Sequence, residues 1–239
     1  MEIAKKAWDN YTARQELIRK RAAEAMQKWI DVNGIGDRQR MLEFANVLAK
    51  QGGEAAGAAA CELYDAIAAA QQANVAAALP ANAATYNEVA KAVNGSLKQS
   101  DLGNLVVSTV ERLVKQCGAD TMIQNAARDH AEYAWIPDGQ TCAFCIALAS
   151  NGWQTAGREL LDSHAEHIHA NCNCEFAIRF DRRSNVQGYN PDALYEEYMS
   201  ASKGNSKDKI NAMRREQYQK NKEKISEQRK MLYQAQKNN

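Results

Sequence analysis

Apolar residues recur at intervals of three and four along the first 135 residues, which is typical of amphipathic helices. The first predicted helix covers residues 3–30. The segment Asn33-Gly34-Ile35-Gly36 ends it, because glycine adopts the left-handed conformation of a helix C-terminus at little cost. Asp37 can cap a second helix, which reaches about Lys50 and ends at Gly52-Gly53. Further helices are predicted at 54–79, 84–94, 101–116 and 120–135.

Two of the predicted helix ends are assigned to specific residues, Pro80 and the pair Cys117-Gly118. The stretch 54–79 contains 13 alanines and reads as one helix closed by Pro80. Polar residues interrupt it too often for a membrane span, and no other stretch has the ~18 uninterrupted apolar residues that a span needs. Cys117-Gly118 is expected to separate the last two helices of the series.

The pattern changes after Trp135. Residues 174–180 alternate, with Cys174, Phe176 and Ile178 on one parity and polar or small residues on the other, which predicts a half-buried strand. Pro191 then opens a short helix, and no glycine or proline follows Gly204, so the C-terminus reads as one long, charged helix.

Together these elements predict a mainly α protein with a small α+β metal-binding module. The expected division is a helical body over 1–135, a Cys/His module over 136–201 and a basic helical arm over 202–239. The hydrophobic fraction of 45% and the charged fraction of 25% are ordinary for a soluble globular protein. An N-terminus without an apolar signal core favours synthesis in a cytoplasm.

The net charge of +1 hides an uneven distribution. Residues 203–239 hold 11 Lys and Arg against 4 Asp and Glu, which leaves 19 against 25 in residues 1–202. The arm also repeats itself, since Lys209-Ile210 and Tyr218-Gln219 recur 15 residues later as Lys224-Ile225 and Tyr233-Gln234.

This arm is expected to meet another protein through its tyrosines and isoleucines. Its basic residues would bind an acidic protein surface or, non-specifically, packaged DNA, namely Arg214, Arg215, Arg229 and Lys230. A helix that is merely solvated is the competing interpretation.

Four of the six cysteines and three of the four histidines fall within the 33 residues that end at Cys174. Zinc favours four thiolate or imidazole ligands, commonly delivered as two close pairs. Cys142-x-x-Cys145 supplies one such pair and His169-x-x-Cys172 has the same spacing. The sequence therefore predicts one structural zinc ion bound by Cys142, Cys145 and His169, with Cys172 ahead of Cys174 as the fourth ligand.

Other interpretations of the cluster remain open. Cys142 and Cys145 could be a redox pair, form disulfides in an assembled particle, or be inert buried thiols, as is expected of the isolated Cys61 and Cys117. A Cys/His nucleophile or an open zinc site with Glu166 or Asp162 as the base would make the protein an enzyme. Four or more soft ligands favour a closed, structural site, so an enzyme is the less favoured hypothesis. A zinc-dependent nucleic-acid-binding regulator is the least favoured.

The segment that bears the cysteines resembles the phage minor head, or head-morphogenesis, proteins similar to the Mu protein F family. The resemblance lies in Asp138-Gly139-Gln140-Thr141-Cys142-Ala143-Phe144-Cys145 and in His169-Ala170-Asn171-Cys172-Asn173-Cys174. It extends to Ala147-Leu148-Ala149-Ser150-Asn151-Gly152-Trp153 and to the stretch from Tyr189 to Tyr195.

The resemblance implies a minor capsid protein of a phage that infects Gram-positive bacteria. Such a protein would associate with the portal, major capsid or scaffolding protein, assist head assembly and end in the virion. Some relatives are described as capsid maturation proteases, which makes a protease or a metal-dependent hydrolase the alternative function.

Overall fold

The computed structural model describes residues 3, 5–96, 102–137, 141–157 and 174–237, and these contain seven helices and three short strands. In chain order they are α1 (Lys5–Asn33), α2 (Arg38–Ala70), α3 (Tyr86–Ser96), α4 (Leu102–Asp129), β1 (Glu132–Ile136), α5 (Ala143–Ala149), β2 (Gln154–Thr155), β3 (Glu175–Arg179), α6 (Pro191–Ser200) and α7 (Ser206–Lys237). The prediction of a mainly helical protein is confirmed. None of these helices is long and apolar enough to cross a membrane.

The chain divides into two compact units. The first combines Met1–Ile136 with Trp153–Tyr189, and the second combines Pro137–Gly152 with Asn190–Asn239. The first unit thus joins the predicted helical body to part of the predicted module, because β3 pairs along its whole length with β1. The long C-terminal helix, predicted as a separate arm, belongs to the second unit together with α5 and α6.

The core of the first unit lies among α1, α2, α3 and α4. Alanines and valines supply most of its buried side chains, so the helices can approach closely. Its fully buried members include Met26, Met41, Ala45, Ala49, Ala56, Val89, Val93, Val106, Val110 and Val114.

The helix break predicted at Gly52-Gly53 is wrong, because α2 runs through both glycines. A Cβ atom on Gly52 would lie 2.6 Å from Val114 Cγ2, and one on Gly53 would lie 3.0 Å from Ala83 Cβ. These glycines therefore serve close packing against α4 and the segment before α3, and not helix termination.

The predicted helix 54–79 is also wrong in its last third. The helix ends at Ala70, where Gln71 Oε1 accepts hydrogen bonds from the N–H groups of Phe180 (2.7 Å) and Asp181 (3.1 Å). Residues 73–85 then run without regular structure. Side chains outside the segment satisfy its backbone, because Asn125 Oδ1 accepts from Leu79 N–H and Thr121 Oγ1 accepts from Ala81 N–H.

The break predicted at Cys117-Gly118 does not occur either, since α4 is continuous from Leu102 to Asp129. Gly118 makes room for Gln15, whose Nε2 would lie 2.8 Å from a Cβ at position 118. Gln15 is buried and donates to the Ala56 carbonyl oxygen at 2.9 Å. The residues after α4 form β1, where a helix was expected up to residue 135.

The three strands form an antiparallel sheet in the order β2-β1-β3. The strand predicted at 174–180 is confirmed, but its half-buried character is wrong because Glu175 and Ala177 are as buried as Phe176 and Ile178. α2 and α4 pack against β3. Trp135, opposite Phe176 in the register, contacts its ring edge-on at a centroid distance of 4.4 Å.

The second unit has a smaller core, in which Ala143, Ile146 and Met213 are buried. Partly buried apolar residues surround these three, namely Leu194, Tyr198, Ala201 and Ile210. The predicted start of α6 is confirmed, since Pro191 occupies its first turn and Asn190 Oδ1 accepts from Ala193 N–H at 3.2 Å.

Candidate metal centre

The first predicted ligand pair lies at the start of α5. Cys142 is the N-cap residue, with φ −73° and ψ 156°, and its Sγ accepts a hydrogen bond from Cys145 N–H at 3.5 Å. Cys142 is half-buried and Cys145 is 1% exposed. The two cysteines of the Cys-x-x-Cys spacing thus lie at the N-cap and in the first turn of α5.

Gln217 of α7 holds the backbone on both sides of Cys142. Its Nε2 donates to the Thr141 carbonyl oxygen at 2.9 Å, and its Oε1 accepts from Ala143 N–H at 3.2 Å. No sequence pattern predicts this positioning residue, since a glutamine in a charged helix gives no signal of a partner 74 residues away. The only hint in the sequence is its place seven residues after Ile210, on the face that packs inward.

Cys174 lies directly before β3 in the first unit and is 2% exposed. Its carbonyl oxygen accepts a hydrogen bond from Lys115 Nζ, which also lies 3.3 Å from Glu175 Oε1. Tyr11 donates to the other carboxylate oxygen of Glu175 at 3.4 Å. Burial, followed by the negative charge of Glu175, raises the pKa of Tyr11 well above its ordinary value.

This buried group of Tyr11, Lys115 and Glu175 fixes the start of β3 to α1 and α4. No sequence pattern predicts this group, because each of the three residues looks like an ordinary polar position of an amphipathic element. An ion pair removed from water is stabilising only when further hydrogen bonds satisfy it, as Tyr11 and the Cys174 carbonyl do here.

The second predicted ligand pair, His169 and Cys172, lies outside the described residues. The same is true of Asp162 and Glu166, the bases considered for an open zinc site. In the described part of the chain, no group of three or more His, Cys, Asp or Glu side chains is placed to hold a metal ion. The complete zinc site therefore stays a prediction.

The two isolated cysteines differ from the clustered ones. Cys117 is buried, and burial raises its pKa to about 11, which keeps the thiol protonated at neutral pH. Cys61 is half-buried, and its pKa is raised mainly by burial and then by the charge of Asp65. Both therefore have the electrostatics of the inert thiols that the sequence predicts.

The predicted basic surface lies on α7. Arg214, Arg215 and Lys230 are exposed, whereas the side chain of Arg229 lies outside the described residues. Ile210 packs inward in the second unit, while Tyr218 and Ile225 are 65% and 50% exposed. The side chain of Tyr233 is also outside the described residues.

Fold and site together define a mainly helical protein with a small antiparallel sheet and a cysteine pair at the start of a short helix. The family model described as VG15 protein matches residues 2–201. The chain therefore belongs to the VG15 protein family, a family of viral gene proteins. No curated protein and no solved structure matches the chain.

Proposed function

We propose that this protein is a phage minor capsid protein with a structural role in head morphogenesis, at the portal or the inner capsid. The observation that carries this proposal is the match to a viral family over residues 2–201, which spans α1 to α6. The resemblance of the segments around Cys142 and Cys172 to phage minor head proteins supports the finer assignment.

We further propose that one zinc ion, bound by Cys142, Cys145, His169 and Cys172, stabilises the cysteine-bearing segment. The donor set suits zinc, and two cysteines three residues apart at a helix start are a common zinc ligand pair. Residues 158–173 contain few apolar side chains, so burial of hydrophobic surface alone would contribute little to their folding. A metal ion would supply free energy where apolar area is scarce.

Metal analysis of the purified protein tests the zinc site. We expect one equivalent of zinc in the wild type, and its loss in Cys142→Ser and Cys145→Ala together with a lower Tm. Two control variants remove a comparable thiol elsewhere, namely half-buried Cys61→Ser and buried Cys117→Ala. The controls should keep the metal. A wild-type protein purified without chelators that holds no metal would contradict the zinc site.

Phage particles test the proposed role in the head. We expect the protein to be present in purified heads, and deletion of its gene to stop head assembly until the wild-type gene is supplied. The enzymatic alternative predicts a different outcome for Cys145→Ser. If this variant stays folded and enters heads, yet a co-expressed capsid precursor is no longer cleaved, the protein is a protease and the purely structural role is wrong.

A further inference from the structure

The two ends of α7 have different surroundings. Near its start, Ile210 and Met213 pack into the core of the second unit and Gln217 bonds to the backbone beside Cys142. From Tyr218 to Lys230, by contrast, every side chain that the structure describes is exposed. The matched family region ends at residue 201, so this surface lies outside it and is not explained by family membership.

A line of apolar residues follows this exposed half at the spacing of a coiled-coil seam. Tyr218 and Ile225 are seven residues apart and expose 65% and 50% of their surface. Leu232 is the next residue of the series in the sequence, and Asn221 and Gln228 occupy the alternate seam positions. Polar residues at such positions lower stability and fix the alignment with a partner helix. We name the positions from 218 to 232 on this face the α7 seam.

The charges beside the α7 seam have one sign. Lys222 and Lys224 flank it on its two sides and are exposed, and Arg229 holds the equivalent flanking position in the sequence. The acidic residues in and just before this half lie on the opposite face of the helix. There the Glu216 carboxylate pairs with Lys220 Nζ at 2.6 Å. The other two acids on that face are Glu223 and Glu227.

We propose that the α7 seam binds an amphipathic helix of another protein whose seam is apolar and whose flanks are acidic. Tyr218 and Ile225 would lose exposed apolar area in that complex, while Lys222 and Lys224 would face carboxylates across the interface. Flanking charges of this kind set partner choice in helix pairs.

Two other occupants fit these features less well. A second copy of α7 would place basic residues against each other, Lys224 against Arg229 in a parallel pair and lysine against lysine in an antiparallel pair. Like charges across a helix interface are unfavourable. Duplex DNA would neutralise the lysines but would leave Tyr218 and Ile225 without apolar cover.

Binding of designed helical peptides to the full-length protein tests the proposal. Two fluorescent peptides share leucine seams and differ only at the flanking positions, which are glutamate in one and lysine in the other. We expect the acidic peptide to bind and the basic peptide not to bind. Ile225→Ser, and Lys222→Glu combined with Lys224→Glu, should each weaken binding of the acidic peptide by about tenfold.

Controls distinguish the interface from general charge or stability effects. The double charge reversal should gain binding to the basic peptide. Lys207→Glu, an exposed position in the first turn of α7 and outside the seam, should leave both affinities unchanged. Circular dichroism of each variant checks that the exposed substitutions keep the helix.

Three outcomes would overturn the proposal. The first is a failure of the acidic peptide to bind the folded wild type. The second is a short duplex DNA that binds more tightly than the acidic peptide and is indifferent to Ile225→Ser. The third is a dimer, seen by sedimentation, that Ile225→Ser dissociates, because the seam would then be occupied by a second copy.

Discussion

Lys115 and Glu175 show how much of the fold depends on single buried polar residues. Both side chains are at least 96% buried, and they connect α4 to the residue after Cys174. The type and spacing of the cysteines could be read from the sequence, since metal ligands come in short, recurrent patterns. The partners of Lys115 and Gln217 could not, because they lie about 60 and 75 residues away along the chain and no local pattern encodes them.

We expect Glu175→Gln to destabilise the protein by about 3 kcal/mol, because it leaves the Lys115 ammonium group buried without a countercharge. The double variant Lys115→Met, Glu175→Leu should lose less free energy of unfolding than the sum of the losses in Lys115→Met and in Glu175→Leu. Urea denaturation measures all of these free energies of unfolding. Additive losses would contradict a direct pairing between the two side chains.

The glycines of the helices give a second prediction at the residue level. Gly52→Ala should lower the free energy of unfolding by about 1 kcal/mol, because the clash with buried Val114 exceeds the gain in helix propensity. Gly95→Ala is the matched control, since no atom lies within 4 Å of the added Cβ. It should leave stability unchanged or raise it by up to about 1 kcal/mol. Thermal denaturation of both variants measures the difference, and equal effects would refute the role of close packing.

At the level of elements, the sequence predicted where helices occur more reliably than where they end. α1 and α3 match their predicted ranges to within three residues, because amphipathic periodicity continues almost to their ends. α2 and α4 are each longer than predicted across a glycine, since tertiary packing at Val114 and Gln15 outweighs the local preference of glycine for termination.

The segment 73–85 shows the opposite error. Its alanines have high helix propensity, yet the chain leaves the helix at residue 70 because polar side chains of α2 and α4 satisfy its backbone. Alanine offers too little apolar area to decide the conformation by burial. Hydrogen bonds from residues such as Asn125 therefore determine the path of this segment.

We expect Asn125→Ala to destabilise the protein by about 2 kcal/mol, because its buried amide bonds to both the N–H and the carbonyl oxygen of Leu79. Asp65→Ala removes a single exposed bond to Ala78 N–H and should cost well under half as much. Chemical denaturation of both variants compares the two losses. If Asn125→Ala were no more costly than the exposed control, its bonds would not direct this segment.

At the level of the whole molecule, the two units differ in how much apolar surface supports them. The first has a core that extends through four helices, whereas the apolar core of the second centres on three buried residues, Ala143, Ile146 and Met213. The sequence predicted the cysteine-bearing region as one continuous module. It could not predict that residues 153–189 join the first unit, since strand pairing between β1 and β3 is a long-range contact.

This difference leads to a prediction for hydrogen exchange. Amides of α5 should exchange faster than those in the middle of α2 and α4, because opening of a small core costs less free energy. Gln217→Ala should raise exchange in α5 further and leave α4 unchanged, since Gln217 bonds directly to the backbone of residues 141 and 143.

Hydrogen exchange in the presence of a chelator distinguishes stabilisation of α5 by a metal ion from stabilisation by side-chain packing. If zinc bound by Cys142 and Cys145 stabilises α5, its removal should raise exchange in α5 of the wild type and have no further effect in Cys142→Ser. The amides of α2 and α4 serve as the internal control, because their protection derives from the core around Met26 and Val110. Chelation that leaves α5 unchanged would mean that Gln217 and the buried apolar residues hold this helix without a metal.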